Sequence, residues 1–351
     1  MGGVPGVAVL TLAELTTLRL GGPPRRLVEV GTAPELVAAV RAADAVDEPV
    51  LLVGGGSNLV VADDGWPGVA VLIRTEGVDV RRDGEHVLLR VAAGADWDAL
   101  VGRAVAEGWA GLECLSGIPG LTGATPVQNV GAYGQDVAQT VTDVTVWDRS
   151  RDRVVVLSTE DCRFGYRRSC FKHSDRYIVL DVTFRLPVSS VSRPIAYAEL
   201  ARTLDVRSGE QAPLPDVRDA VLGLRRAKGM VSDPTDHDTW SVGSFFTNPI
   251  LDEQALAVFE RRLEPATAYP SWPDDSGTKL SAGWLIERSG FGRGYGDGPA
   301  RVSTKHTLAL TNRGAARTTD LLTLAREVRD GARTCFGIQL EPEPKLVNCS
   351  L

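Results

Sequence analysis

Apolar positions along the chain recur in two periods, and the switches between them mark out the elements. From Ala33 to Val46 the segment APELVAAVRAADAV spaces its apolar residues at steps of three and four, which predicts an amphipathic helix. PVLLVGGG follows as a short apolar run ending in glycines, which predicts a buried strand and a turn. The next residues separate two kinds of fold. A parallel dinucleotide-binding unit needs a helix after the glycines, but NLVVADDGWPGVAVLI carries β-branched runs broken by Gly65, Pro67 and Gly68, so strand follows strand. The G-x-G-x-x-G pattern also fails, because Gly54 and Gly56 are followed by Leu59 where the third glycine belongs.

Further strands are predicted at HVLLRVAAG, VTDVTVWD, RVVVLST and YIVLDVTFRLP, with DWDALVGRAVAEG as an amphipathic helix among them. The fold class is therefore α+β. After Pro187 the pattern turns helical, as in Asp216 to Lys228, where Val217, Val221 and Leu224 recur at helical steps. We place a seam near residues 188–196. A last block starts near Ser241, with helices at LSAGWLIERSG and TDLLTLAREVRDGA and a strand at FGIQLEP. The expected organisation is a first region over 1–188 in two subdomains (about 1–74 and 75–188), a helical connection over 189–240 and a C-terminal domain over 241–351.

Composition narrows the function classes. A chain of 351 residues exceeds one ordinary core, and its hydrophobic and charged fractions of 43% and 24% are those of a packed protein. No run approaches the roughly 20 apolar residues of a membrane span, and the start MGGVPGVAVLTLAEL lacks the basic region and cleavage site of a secretory signal. The expected location is the cytoplasm. With a net charge of -7 and no basic stripe, nucleic acid is not an expected partner. Cys114, Cys162, Cys170, Cys335 and Cys349 contain no C-x-x-C pair and read as reduced, mostly buried thiols. His86, His173, His237 and His306 lie far apart without metal-ligand spacing, so no metal is expected.

Candidate chemistry concentrates in two glycine-rich loops, GGGSN at Gly54 to Asn58 and SGIPGLTGATPVQNVGAYG at Ser116 to Gly134. Missing Cβ atoms and accessible positive φ let backbone N–H groups approach phosphate oxygens, so the pair predicts a pyrophosphate cradle. GGGSN alone reads as an ordinary connecting turn. The second loop is different, since nineteen residues with five glycines and two prolines are too many for an idle connection.

These loops, with TTLRLGG at Thr16 to Gly22, resemble the UDP-N-acetylenolpyruvoylglucosamine reductases. CRFGYRRSCFK at Cys162 to Lys172, GSFFTNP at Gly243 to Pro249, GTKLSAGWLIE at Gly277 to Glu287 and LEPE at Leu340 to Glu343 resemble that family's blocks in the family's order. PIAYAEL is similar to the subgroup whose tyrosine-bearing loop closes over substrate. The resemblance implies an FAD-binding domain of the vanillyl-alcohol-oxidase (PCMH) type followed by a smaller α+β substrate-binding domain. It implies NADPH-dependent reduction of UDP-N-acetylglucosamine enolpyruvate in peptidoglycan synthesis, by a monomer. GGGSN holds no histidine that could attach a flavin, so FAD is expected to be noncovalent.

Residue by residue, the resemblance implies that Arg167 faces the substrate carboxylate, Ser244 donates a proton and Glu343 completes the acid site. It assigns FAD to Gly54, Gly55, Gly56, Ser57 and Asn58, and to Ile118, Pro119, Gly120, Gly123, Ala124, Gln128, Asn129, Gly131, Ala132 and Tyr133. Substrate contacts fall to Tyr166, Tyr197, Lys228, Asn248 and Lys279. In isolation Ser244 reads as a turn serine, Arg167 as a surface cation, Glu343 as a solvated residue after a strand and Lys228 as a helix end. One departure stands out: many relatives carry lysine after the Phe–Phe pair, where this chain has Thr247.

Overall fold

The computed structural model describes residues 10–351. The chain divides into two compact units, both discontinuous in sequence. The first comprises Arg26–Gly55 and Gly68–Val231, the second the chain up to Arg25, Gly56–Pro67 and Ser232–Leu351. The chain therefore passes between units at four places, and none falls at the expected seam near 188–196. Two pairings explain why. Strand Leu59–Val61 runs parallel to Lys345–Val347, which ties an early segment to the C-terminal block. Helix Leu214–Ala227 stays with the first unit, because Val217 and Val221 pack with Cys114, Ile195 and Leu200.

The first unit is built on a five-stranded antiparallel sheet in the order Arg153–Ser158, Val141–Asp148, Tyr177–Pro187, His86–Ala92 and Val78–Asp83. Its middle strand is buried on both faces. Val182, Phe184 and Leu186 join a core with Trp97, Leu100 and Val101 of helix Trp97–Ala106, whereas Ile178 and Leu180 join Leu36 and Val40 of helix Ala33–Asp44. That second helix covers a small sheet in which Val50–Val53 runs parallel to Trp66–Ile73, with Pro24–Val30 on the other edge. Helix Ala33–Asp44 starts at Thr32, whose side chain accepts the Glu35 N–H while Glu35 reaches back to Thr32, satisfying two orphan donors of the first turn.

The second unit packs around Phe245, Phe246 and Phe259, all at most 1% exposed. Helix Thr318–Phe336 lays Leu321, Ala325, Val328 and Ala332 onto this core. Asp63, distant in sequence, accepts its first N–H groups from Thr318 (2.7 Å) and Thr319 (3.1 Å), a cap favoured by the positive helix end. Helix Ala282–Arg288 forms where LSAGWLIERSG predicts it, starting at Ser281. TTLRLGG feeds Leu18 and Leu20 into the core and is pinned by Asn312 Nδ2 to the carbonyls of Leu18 and Arg19.

Two strand expectations are corrected. FGIQLEP forms no strand: Gly337 ends the preceding helix in the left-handed region (φ 74°), and Ile338 and Leu340 anchor an irregular segment before the strand Lys345–Val347. Conversely Val78–Asp83, VDVRRD, is an edge strand that apolar alternation does not reveal, because nearly all of it is exposed.

Two carboxylates organise the first unit, one buried and one half-buried. Glu113, fully buried, accepts from the Gly111 N–H (2.6 Å), Gln135 Nε2 (2.8 Å) and the Arg193 N–H (3.3 Å). Glu113→Ala is expected to cost about 3 kcal/mol, since each unmet buried donor costs about 1–3 kcal/mol. A thermal melt checks this, and an unshifted midpoint would contradict it. Asp98 accepts both guanidinium N–H groups of Arg218 (2.7 and 2.9 Å) and the Gly117 N–H (2.6 Å). Burial pushes its carboxyl up, but Arg218 and the Gly117 N–H outweigh that and hold it below the usual range. A depressed carboxyl stabilises the fold above the unfolded value of about 3.9 and loses that contribution as pH falls through the folded one. Asp98→Asn should therefore lower the unfolding free energy read from urea titration at pH 7 by about 1 kcal/mol, given partial solvent screening. The gap should shrink below about pH 4; an equal gap at both ends would refute the linkage.

Candidate active site

The two glycine loops meet within the first unit. A Cβ on Gly55 would lie 2.7 Å from Gly120 Cα, and one on Gly54 would touch Leu121 at 3.4 Å. The long loop is laced to the chain before helix Trp97–Ala106 by Gly123 N–H to Ala93 O, Thr122 N–H to Ala95 O (both 2.8 Å) and Trp97 N–H to Gly120 O (3.1 Å). A Cβ on Gly123 would collide with Ala93 at 2.4 Å. Gly55, Pro119 and Ala124 stay exposed, while Gly54, Ile118, Gly120, Gly123 and Gln128 are half-buried. This leaves a surface of backbone with few side chains above it, the surface a diphosphate needs. Gly56, Ser57 and Asn58 belong to the second unit, where a Cβ on Gly56 would lie 1.8 Å from Leu15 O.

The far end of the long loop serves a different purpose. Asn129 is buried with φ 47°; its Oδ1 accepts the Ala138 N–H (3.0 Å) and its Nδ2 donates to Gly165 O (3.2 Å). Its side chain thus spends its bonds inside the protein and ties the loop to the segment bearing Arg167. There Gly165 and Arg168 exchange both backbone hydrogen bonds (3.0 and 3.2 Å), making Tyr166 and Arg167 the tip of a two-residue hairpin. Arg167 has φ 50°, a conformation that costs a non-glycine residue about 1–2 kcal/mol. Its Nη2 donates to Gly131 O (3.3 Å), and its guanidinium lies 5.6 Å from the Tyr166 ring centre. Gly131 and Ala132 form a two-residue strand against Gln135–Asp136.

Tyr133, Tyr197 and Lys228 come together. The two rings meet edge to face at 5.3 Å, and Lys228 Nζ lies 5.7 Å from the Tyr133 ring centre while bonding Glu199 Oε2 at 2.5 Å. Burial pushes the Tyr133 phenol up to about 12, so it stays protonated at neutral pH. Tyr197 is 41% exposed and leads into helix Ala198–Thr203. Lys228 also caps helix Leu214–Ala227, so both its helix-end role and its charged contact are real.

The second unit holds Ser244, Glu343, Asn248 and Lys279. The segment after Gly243 (φ 74°) is clamped between two others: Phe245 N–H bonds Leu308 O (2.7 Å), and Glu343 N–H bonds Phe245 O (2.9 Å). Ser244 and Glu343, about a hundred residues apart in sequence, therefore lie on adjoining strands of backbone. Both are half-buried while Phe245 and Phe246 fill the core beneath. Asn248 Oδ1 accepts the Ala282 N–H (2.9 Å) at the head of helix Ala282–Arg288. Lys279 sits on strand Gly277–Leu280 between Ile250 and Trp272. Thr247 bonds Glu341 O through its N–H (3.0 Å) and its hydroxyl (3.4 Å).

Sequence reading missed Glu199, Asp136 and Glu113. Glu199 lies two residues beyond Tyr197 and partners Lys228. Asp136 faces the Arg167 guanidinium; burial pushes its carboxyl up against hydrogen bonds from Gln139, Asn129 and Ala138 and the Arg167 charge. No local pattern marks these carboxylates, since each acquires its partner through a loop crossing.

Known proteins share this layout along the whole chain. The model of an FAD-binding domain matches residues 24–158, and that of the UDP-N-acetylenolpyruvoylglucosamine reductase C-terminal domain matches 233–347. The reductase of that name from Thermobifida fusca is 56% identical over 346 residues, 97% of each chain, and that from Salinispora arenicola is 55% identical over 97% of this chain and 95% of its own. The crystal structure of UDP-N-acetylenolpyruvylglucosamine reductase from Thermus caldophilus superposes with a TM-score of 0.65 at 26% identity, covering 96% of this chain and 97% of that one. With both domains matched in order and relatives above 50% identity from end to end, the chain belongs to the UDP-N-acetylenolpyruvoylglucosamine reductase family.

Proposed function

We propose that this chain reduces UDP-N-acetylglucosamine enolpyruvate to UDP-N-acetylmuramate, with noncovalent FAD and with NADPH as hydride donor, in peptidoglycan precursor synthesis. The observation that carries the reading is its full-length relationship to reductases of that name, with the FAD-binding and C-terminal modules both matched. Bound FAD supplies the hydride transfer from NADPH to the terminal carbon of the enol ether. The glycine surface of Gly54–Gly55 and Ile118–Ala124 would hold its pyrophosphate through backbone N–H groups, with Gly56, Ser57, Asn58, Gln128 and the Asn129–Tyr133 segment completing the contacts. We keep the FAD role for the region up to 188, the closing role for 189–240 and the substrate role for 241–351. The protein acts as a cytoplasmic monomer, where nucleotide sugar and NADPH are both present.

The chain's own groups handle charge and proton. As hydride arrives, negative charge develops toward the substrate carboxylate, and the planar fork of Arg167 meets two carboxylate oxygens at once. Its strained turn and its bond to Gly131 O hold the fork before substrate enters, so little reorganisation remains. Glu343 shares the acid site, and Ser244 Oγ delivers the proton to the adjacent carbon. A hydroxyl is a weak acid, so that transfer must be concerted with collapse of the enolate. Tyr166, Asn248 and Lys279 orient the substrate. Tyr197, stacked on Tyr133 and backed by Lys228 and Glu199, closes over the UDP-sugar.

Rapid mixing separates the two half-reactions. Anaerobic NADPH should bleach the flavin, and the enolpyruvyl substrate should restore its colour; failure of either step contradicts the reaction. Ser244→Ala should leave the first step nearly intact and slow the second by roughly 10² to 10⁴, the usual worth of a general acid. Ser244→Cys should recover part of the loss. Arg167→Lys keeps the charge but loses the fork, so it should also impair the second step selectively. Equal damage to both steps would mean that these residues support flavin or fold.

A further inference from the structure

The thiols of Cys162 and Cys170 flank the Arg167 hairpin and serve none of the roles above. Cys162 ends the short helix Thr159–Cys162, and Arg163 then turns the chain through a left-handed conformation (φ 51°). The hairpin follows, and on its return strand the Cys170 N–H donates to Cys162 O at 2.7 Å. One direct backbone N–H to carbonyl bond keeps the two Cα atoms within roughly 6 Å, inside the range of about 4.4–6.8 Å that a disulfide spans. The two thiols are neighbours, since the Cys170 sulfur pushes the Cys162 thiol up. Cys162 is fully buried, and Cys170 is half-buried.

We propose that Cys162 and Cys170 form a reversible disulfide in response to hydroperoxides, a modification site at the base of the hairpin that presents Tyr166 and Arg167. The two sulfurs are not equivalent. Cys170 is half-buried while Cys162 is fully buried, so Cys170 is the sulfur a peroxide reaches; the neighbouring Cys170 sulfur and burial also push the Cys162 thiol up. Cys170 is thus the attacking sulfur. Its thiolate attacks one peroxide oxygen; an S–O bond forms, the O–O bond breaks, and the departing oxygen leaves as water after taking a proton. The Cys162 sulfur then attacks the sulfenic acid at Cys170, forming S–S and expelling the oxygen as a second water with the Cys162 proton. Two thiols lose two electrons, and hydrogen peroxide is reduced to two waters.

Bond formation pulls the sulfurs from non-bonded contact to bonding distance. The hairpin between them is also fastened elsewhere, by Asn129 Nδ2 to Gly165 O and by Ser169 Oγ to Val127 O (2.6 Å). It cannot follow as a free loop, so the strain falls on the Tyr166–Arg167 tip. Displacing a positioning group by about 1 Å can cost roughly a hundredfold in rate. This consequence rests on the proposed role of Arg167; the disulfide itself does not.

The sequence provides its own assay. Trypsin cuts after Arg163, Arg167 and Arg168, so Cys162 and Cys170 leave on separate peptides unless a bond joins them. Native protein treated with hydrogen peroxide should lose the mass of two hydrogens and yield the joined peptide, which dithiothreitol abolishes. Peptides joined only through Cys114, Cys335 or Cys349, or Cys170 found only as sulfinic acid, would overturn the proposal. Flavin reoxidation by the enolpyruvyl substrate should slow about ten- to a hundredfold in the oxidised protein and recover with dithiothreitol. Cys170→Ser should match untreated wild type and not respond to peroxide by this route. A joined peptide with an unchanged rate would overturn the link to Arg167 and leave the disulfide site standing.

Discussion

The first unit depends on the approach of two backbones at Gly55 and Gly120, closer than any side chain allows. From that point the long loop is fixed at successive stations. Asp98 holds Gly117, the chain at Ala93 and Ala95 holds Gly123 and Thr122, and Glu113 with Gln135 anchors its end. The loop in turn positions the hairpin, through Asn129 to Gly165 and through Gly131 to Arg167. A glycine contact therefore reaches the guanidinium through a short series of hydrogen bonds. The glycine surface and Arg167 are parts of one loop system.

The second unit reaches similar rigidity by another route. Phe245 and Phe246 are driven into its core, and the polar residues beside them are left near the surface. Because Phe245 bonds Leu308 on one side and Glu343 on the other, Ser244 and Glu343 take their places from backbone. Thr247 closes the same clamp, bonding Glu341 O through its N–H and its hydroxyl.

Periodicity revealed what local physics decides. Helices Ala33–Asp44, Trp97–Ala106, Ala282–Arg288 and Thr318–Phe336, and the middle strands of the large sheet, lie where apolar spacing predicts them. Val78–Asp83 stayed hidden because an exposed edge strand has no apolar face to repeat. FGIQLEP misled because its two buried residues alternate, while pairing reaches only its end, in the isolated bridge of Pro342 with Phe246. The seam near 188–196 rested on a change in pattern along the chain, whereas compact units form by pairing, and Leu59–Val61 pairs with Lys345–Val347 across nearly the whole sequence. Motifs propose Arg167, Ser244 and Glu343 as site candidates, since each sits in a distinctive local string. Glu113, Asp136, Glu199 and the Cys162–Cys170 contact could not be read there, because loops create those neighbours.

The central claim is that the meeting of Gly55 with Gly120 builds the surface that holds FAD. Gly55→Ala tests it most directly, since the added Cβ would lie 2.7 Å from Gly120 Cα and force the loops apart, while Gly55 itself is exposed and outside the hydrophobic cores. The measurement is flavin released per protein after acid precipitation, alongside the thermal midpoint of the same sample. The account predicts a folded protein that has lost most of its FAD. A folded variant carrying a full complement of FAD would contradict it.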